Sequence, residues 1–273
     1  FEADAVLGMG GFTSLPALMA GQGMGVKTFI HESNAYPGKA NRVAARWADI
    51  VLLGMEACHQ HFPGKNVKVV GTPLRGVMRK SYDRNQAIEH FNLISEKKTL
   101  LILGGSQGAY GINSVITDSL TDLKDLGVQI IHLTGPADYD RVSSLYEGVE
   151  IDSHIAPFCD SMQLAYASCD IAIARSGASS LAELSAFGIP SILVPYPYAT
   201  DDHQTLNAVV YSDAGASLMR QESEMSSSAL ISSLSQLLDS NNEVYKQMSF
   251  AMRKMAVIDA AENICEQILV NSK

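Results

Sequence analysis

The sequence predicts an α/β protein built from two parallel-sheet halves. Short apolar runs, each ending in a glycine-rich or polar loop and followed by an amphipathic stretch, recur along most of the chain, which is the pattern of strand, loop and helix units in a parallel sheet. The units fall into two groups, because the polar stretch 79–98, with one amphipathic helix of its own, separates them. At 273 residues and 47% hydrophobic, with a mean hydropathy near zero, the chain is long enough to bury two cores.

In the first half, strand 5–7 runs into Gly8-Met9-Gly10-Gly11-Phe12 and a helix over about 14–21. Gly8, Gly10 and Gly11 allow close backbone approach to a phosphate or sugar. Strand 26–30 delivers His31, Glu32, Ser33 and Asn34 at its carboxyl end, where open α/β sheets place ligands. Helix 39–48 and strand 50–53 follow. Cys58-His59-Gln60-His61 invites a zinc reading, but no second pair of ligands lies at a usual spacing, so a solvated short helix is the simpler account and no metal is expected. Strand 67–70 ends in Gly71-Thr72-Pro73-Leu74-Arg75, where proline fixes the exit direction and Arg75 brings a cation to the cleft between the halves.

The second half opens with strand 99–103, the loop Gly104-Gly105-Ser106-Gln107-Gly108 and a helix ending near 126. The loop suits a phosphate or sugar, with Ser106 as a hydroxyl donor. Strand 128–133 ends without an acidic residue to hold a ribose, which argues against a dinucleotide-dependent dehydrogenase. Asp138-Tyr139-Asp140 mimics a metal-binding pair, but side chains two apart on a helix diverge, so it reads as a helix start. Strand 149–155 leads to Pro157–Met162 and another helix.

The most informative stretch is Arg175-Ser176-Gly177-Ala178-Ser179-Ser180-Leu181-Ala182-Glu183, between strand 170–174 and a helix ending near Gly188. Gly177 permits a sharp turn, and Ser176, Ser179 and Ser180 supply N-cap hydroxyls. The free N–H groups and positive helix end favour an anion. Glu183 follows Ser179 by one helical turn, so its carboxylate can accept two hydrogen bonds from a ribose diol beside that anion. A nucleoside diphosphate fits both features, against the plainer reading of a well-capped helix. After strand 191–194, Asp201 and Asp202 are expected to cap a helix on which His203, Gln204 and Asn207 offer groups that read sugar hydroxyls. Helices over about 226–238, 241–255 and 259–270 close the chain.

A net charge of −9 argues against nucleic-acid binding. The charge is uneven: residues 1–92 hold 10 Lys and Arg against 7 Asp and Glu, and the remainder 10 against 22. A mildly cationic first half is either ordinary solvated surface or a face that visits an anionic leaflet. The four cysteines form no CxxC pair, which suits a reduced compartment, and no run of eighteen apolar residues occurs. The chain opens at Phe1 on a strand that is already apolar, so the first half is expected to be incomplete.

Taken in order, Gly8–Gly11, His31–Asn34, Gly71–Arg75, Gly104–Gly108, Arg175–Ala178 with Glu183, and His203–Ala208 resemble the MurG family of peptidoglycan glycosyltransferases over essentially the whole chain. The resemblance implies two facing Rossmann-like domains of the GT-B type, with residues 1–75 on the acceptor and membrane side. Residues 76–256 then hold the donor, with 76–98 as linker, and 257–273 form a helix returning to the first domain. It implies inverting transfer of N-acetylglucosamine from UDP-N-acetylglucosamine to the 4-hydroxyl of the undecaprenyl-pyrophosphoryl-muramyl-pentapeptide. No cofactor is implied, and the setting is peripheral contact with the anionic inner leaflet at the cytoplasmic face of the cell membrane.

By resemblance, Ala178–Glu183 hold the diphosphate and ribose, Ser106 a phosphate, the Cys159 backbone the uracil, and Asn34 and Gln204 the sugar hydroxyls, with Arg75, Gln107 and His203 also counted to the donor site. Thr72 and Phe12 depart from the family's usual asparagine and tyrosine. The family's first glycine loop and its histidine lie upstream of Phe1, which implies that the chain alone transfers little sugar. Within the chain His31 and Glu32 are the ionisable candidates for the acceptor's proton. Rival readings are a UDP-sugar epimerase of similar fold and a non-catalytic or split-subunit UDP-sugar binding module.

Overall fold

A computed structural model describes residues 2–105, 108–238 and 243–272. Two parallel sheets organise them. The first has four strands in chain order, β1 (Ala5–Gly8), β2 (Lys27–Glu32), β3 (Ile50–Leu53) and β4 (Asn66–Val69), with His31 beside Leu52 and Glu32 beside Leu53 in register. Helices α1 (Leu15–Gly23) and α2 (Lys39–Ala44) connect them. β3 is buried at every position, as expected of a parallel strand covered on both faces. One face packs Ile30, Val51 and Leu53 on Leu18 and Ala44, and the other packs Phe29, Ile50 and Leu52 on Ile264 and Ile268. The last two belong to the C-terminal helix, so the chain's end completes the first core.

The linker helix, α3 (Arg84–His90), is capped by Asp83, whose carboxylate accepts the Gln86 N–H at 2.9 Å. The second sheet comprises β5 (Thr99–Leu103), β6 (Gln129–Leu133), β7 (Ser153–Ala156), β8 (Ile171–Ala174), β9 (Ser191–Leu193) and β10 (Ser217–Met219). Their spatial order is β10-β9-β8-β5-β6-β7, all parallel. The chain winds outward from β5 to β7, then returns to β5's other side and winds outward again. This is the doubly wound arrangement, and its order reverses between β5 and β8. Ligands of such sheets bind in the crevice outside the carboxyl ends at that reversal.

Helices α4 (Tyr110–Asp118), α5 (Leu120–Asp125), α6 (Tyr139–Tyr146), α7 (Met162–Ser168), α8 (Ala178–Phe187), α9 (His203–Asp213), α10 (Ser227–Leu238), α11 (Glu243–Lys254) and α12 (Ala260–Asn271) cover both faces and the cleft. Strand alternation divides the core. Leu101, Leu103, Ala172 and Ala174 face Tyr166, Leu181 and Leu184, while Leu100, Ile102, Ile171 and Ile173 face Ile112, Ile116, Leu230 and Leu234. Each fully buried Leu or Ile contributes about 1.5–3 kcal/mol.

Among the differences from expectation, the helix expected over 39–48 ends at Ala44. The helix expected to end near 126 breaks at Ser119, whose Oγ donates to the Val115 carbonyl at 2.7 Å, a back-bond that bends helices. Strand 149–155 shortens to Ser153–Ala156, because Val149 N–H closes a turn onto Tyr146. The edge strand Ser217–Met219 was not foreseen, since three residues carry too little periodicity to be read.

Candidate active site

At the reversal between β5 and β8, the first loop needs glycine at both 104 and 108: a Cβ on Gly104 would meet the Gly108 and Ala109 backbone, and one on Gly108 the Thr134 carbonyl. Ser106, expected to touch a phosphate, and Gln107, expected in the donor site, lie outside the described residues. The β8 loop turns at Gly177, the N-cap of α8, in an extended conformation with no side-chain cap hydrogen bond. The serines expected to cap it do otherwise. Ser176 is fully buried and donates its hydroxyl to the Gln204 carbonyl at 2.7 Å, Ser179 is exposed, and Ser180 lines the adjoining cleft. The positive end of α8 is thereby left without a competing side-chain oxygen, as an anion requires. Leu181 is buried and gives its N–H to the Gly177 carbonyl, and Ala182 lines the seam between the halves beside Gly54 and Thr72. Of the residues 178–183, the backbone of the first turn and the Glu183 side chain remain open to a ligand.

A cleft of about 260 Å³ adjoins this helix start, bounded by Arg75, Phe158, Cys159, Tyr166, Ser180 and Glu183. Glu183 accepts from Arg75 Nη2 at 3.1 Å and from the Tyr166 hydroxyl at 2.9 Å. A carboxylate has about four acceptor positions, so about two stay available. Cys159 is buried with its thiol pKa raised by that burial, and its main-chain N–H and C=O make no hydrogen bond among the described residues. Phe158, 60% exposed, forms an apolar wall. Arg175 points away: its guanidinium donates to the Val194 and Pro195 carbonyls and to Glu222, tying β8 to the strand beside it.

Across the cleft, a second cavity of about 160 Å³ lies between Asn34, Tyr36 and Gly38 on one side and Thr200, Asp201 and His203 on the other. Gln204 Oε1 accepts the Tyr196 N–H at 3.0 Å, and His203 Nδ1 donates to the Thr200 carbonyl at 2.8 Å. Asn207, expected to read sugar hydroxyls, is fully buried and joins the halves. Its Oδ1 accepts the Ala35 N–H at 2.8 Å, while its Nδ2 donates to Asn34 Oδ1 and the Ser176 carbonyl, each at 3.0 Å. Asp202 stands at the N-cap of α9 but makes no side-chain cap hydrogen bond, and Asp201 lies before it. Both adopt left-handed φ near 53°, which aspartate tolerates better than most residues; Asp201 pairs with Arg42 at 2.8 Å and Asp202 accepts the Thr205 hydroxyl at 2.7 Å.

His31 and Glu32, the expected proton acceptors, are only 2% and 3% exposed. The Gly71 carbonyl lies 2.8 Å from His31 Nε2 and can only accept, so that nitrogen carries the proton. Burial lowers the His31 pKa and keeps the ring neutral. Glu32 accepts from Asn34 N, Asn34 Nδ2, Gly38 N and Asn41 Nδ2 at 2.9–3.0 Å, which fills its acceptor positions. Together they fix the 33–38 loop rather than offer a free base. Gly8 ends β1 against Leu18, and Gly10 and Gly11 turn through positive φ of 94° and 75° into the short helical turn Phe12–Ser14. Among the described residues no group of three His, Cys, Asp or Glu could hold a metal ion. Burial, with Glu32 adding to it, pushes the Cys58 thiol up to about 12.

Sequence reasoning missed Tyr166, which sits in an apolar helical pattern where tyrosine reads as core, and Glu222, 47 residues from its partner Arg175.

Comparison with known proteins agrees with this fold. Residues 99–264 match the glycosyltransferase family 28 C-terminal domain and residues 1–53 its N-terminal domain. The chain is 34% identical, over 98% of its length and 74% of the relative's, to the UDP-N-acetylglucosamine–N-acetylmuramyl-(pentapeptide) pyrophosphoryl-undecaprenol N-acetylglucosamine transferase of an Exiguobacterium species. To the enzyme of that name from Myxococcus xanthus it is 37% identical, over 99% and 70% of the two chains. The crystal structure of Acinetobacter baumannii MurG superposes with a TM-score of 0.81 at 29% identity, covering 98% of this chain and 74% of that one. A UDP-GlcNAc 2-epimerase from Neisseria meningitidis, solved with UDP-GlcNAc, gives 0.72 at 18% identity over 99% and 77%, a likeness of fold. The chain therefore belongs to glycosyltransferase family 28 and, within it, to the MurG family of N-acetylglucosamine transferases.

Proposed function

We propose that this chain transfers N-acetylglucosamine from UDP-N-acetylglucosamine to the 4-hydroxyl of a lipid-linked N-acetylmuramyl-pentapeptide, with inversion at the anomeric carbon and release of UDP. The observation that carries the reading is the uncapped start of α8 beside a carboxylate with spare acceptor capacity, at the sheet reversal. The N–H groups of the first turn, Ala178 to Ser180, take the diphosphate and stabilise the charge gathering there as UDP leaves, with no metal called on. Glu183 takes the ribose diol. The N–H and C=O of Cys159, without a hydrogen bond among the described residues, match the donor and acceptor edge of uracil, against the Phe158 wall. Arg75 faces the same cleft, and Asn34 and His203 line the cavity for the sugar, with Gln204 following His203 on α9.

Residues 1–75 serve as the acceptor side and 76–256 as the donor side. Among the described residues no helix is long and apolar enough to cross a membrane. Exposed Met9, Phe12, Met19 and Met24, on the cationic first half, support a peripheral contact with the anionic inner leaflet at the cytoplasmic face. The epimerase alternative needs an acid and a base facing one sugar, and buried His31 and Glu32 do not supply that pair.

Labelled sugar transfer to a short-chain lipid-linked muramyl-pentapeptide, assayed on the complete gene product in chelator, tests the proposal. Acceptor-dependent transfer without metal is expected. Acceptor-independent conversion of UDP-N-acetylglucosamine to its 2-epimer, or a strict magnesium requirement, would overturn it.

A further inference from the structure

The two partners of Glu183 differ in kind. Arg75 reaches it across the cleft from the loop after β4, with its own side chain 55% exposed. Tyr166 reaches it from below, on α7, and is 2% exposed. The Tyr166 ring lies 5.4 Å from Phe187, tilted by 35°, and packs in the cluster that includes Leu101, Ala172 and Leu184. A ring inside a close-packed core has no room to swing, so its hydroxyl is a fixed point. Burial, reinforced by the Glu183 carboxylate, holds the phenol pKa well above its usual value, and the hydroxyl therefore stays a donor.

These facts bear on how a carboxylate recognises a diol. Two ribose hydroxyls need a carboxylate in one orientation, with the two acceptor positions facing them empty. Arg75, an exposed cation on the opposite wall, draws the carboxylate toward the first half by charge. A neutral hydroxyl on Oε2 resists that pull without neutralising the group, so the carboxylate keeps its charge for the ribose. A second cation at this place would instead compete with the ligand.

We propose that Tyr166 is a positioning residue for donor recognition: its buried hydroxyl pins Glu183 against the attraction of Arg75, in the orientation that accepts the ribose hydroxyls. The inference rests on the reading of Glu183 as the ribose contact, and the experiment separates the two. Calorimetry on the full chain compares UDP with 2′,3′-dideoxy-UDP for the wild type and for Tyr166→Phe, with thermal melting of the same samples.

If the wild type shows no preference for UDP over the dideoxy ligand, the ribose reading fails, and this inference with it. With that preference present, Tyr166→Phe is expected to shrink it by about five- to tenfold, the size of one hydrogen bond, while affinity for the dideoxy ligand holds. A residue that mattered only for packing would weaken both ligands alike and lower the melting temperature. Full preference retained by the folded variant overturns the proposal. Should the variant fold poorly, wild-type protein labelled with [ζ-13C]tyrosine gives a second measurement. The Tyr166 resonance is expected to move with UDP and stay put with the dideoxy ligand, and equal responses to both would overturn the proposal as well.

Discussion

Glu32 and Glu183 are the same residue type, one ending β2 in the first half and the other in the second turn of α8 in the second half, yet the structure gives them opposite capacities. Glu32 is 3% exposed and receives four N–H donors. Glu183 receives two, one of them from an exposed arginine that can exchange. A carboxylate whose acceptor positions are full is part of the scaffold, whereas one with positions to spare at a sheet reversal can bind. The comparison teaches that acceptor capacity, more than residue type or closeness to a strand end, separates a binding carboxylate from a structural one.

Acid should damage the scaffold on both sides of this comparison, and this is the largest effect expected. His132 is fully buried between Asn113 and Tyr146. Asn113 Nδ2 donates to the Thr134 carbonyl and Asp138, so its Oδ1 faces His132 Nε2 at 3.0 Å, and that nitrogen carries the proton. Burial lowers the His132 pKa from 6.5 to about 3, and His31 shifts in the same direction. Between those values the unfolded chain binds more protons than the folded one. Stability is therefore complete above pH 6.5 and falls as the pH drops toward 3. Urea midpoints across that range should show the loss, and His132→Gln should flatten it; a flat wild-type profile would remove the buried neutral histidines from the account.

Next in size is Glu32→Ala, which takes the acceptor from three donors in the 33–38 loop and from one N–H of Asn41, and should cost about 2–4 kcal/mol of stability, at about 1–3 kcal/mol for each donor that water cannot reach. Chemical denaturation measures this. An unchanged midpoint with turnover abolished would make Glu32 catalytic and erase the contrast with Glu183. The smallest effect belongs to Arg42→Ala, which removes a part-exposed ion pair to Asp201 across the cleft and should shift stability by about 0.2–1 kcal/mol. A larger loss would mean that this pair, more than buried Asn207, holds the halves together.

Much of the fold was legible because parallel strands buried on both faces read as continuous apolar runs, as in Ile50–Leu53 and Thr99–Leu103. The strand-to-helix turn at Gly177 was legible for the same reason, as a small-residue break between two strong patterns. What remained hidden depends on contacts distant in sequence. Whether Ser176 caps α8 or bonds the Gln204 carbonyl, and whether Asn207 meets a sugar or Ala35, 172 residues away, is decided by how the halves meet. His31 and Glu32 looked like free groups at a strand end, and only the Gly71 carbonyl on His31 and the folding back of Gly38 and of Asn41 on α2 over Glu32 turn them into scaffold.

The central claim, that the second half reads a nucleoside diphosphate with an uncapped helix start for the phosphates and Glu183 for the ribose, is tested most directly by calorimetry in chelator with UDP and with inorganic pyrophosphate, for the wild type and Glu183→Ala. The account predicts that UDP binding weakens by about 1.5–3 kcal/mol, the size of hydrogen bonds to a charged group, while pyrophosphate binding is nearly unchanged and neither ligand needs magnesium. Equal losses for both ligands would make Glu183 a support for α8, and binding that appears only with magnesium would contradict the metal-free site.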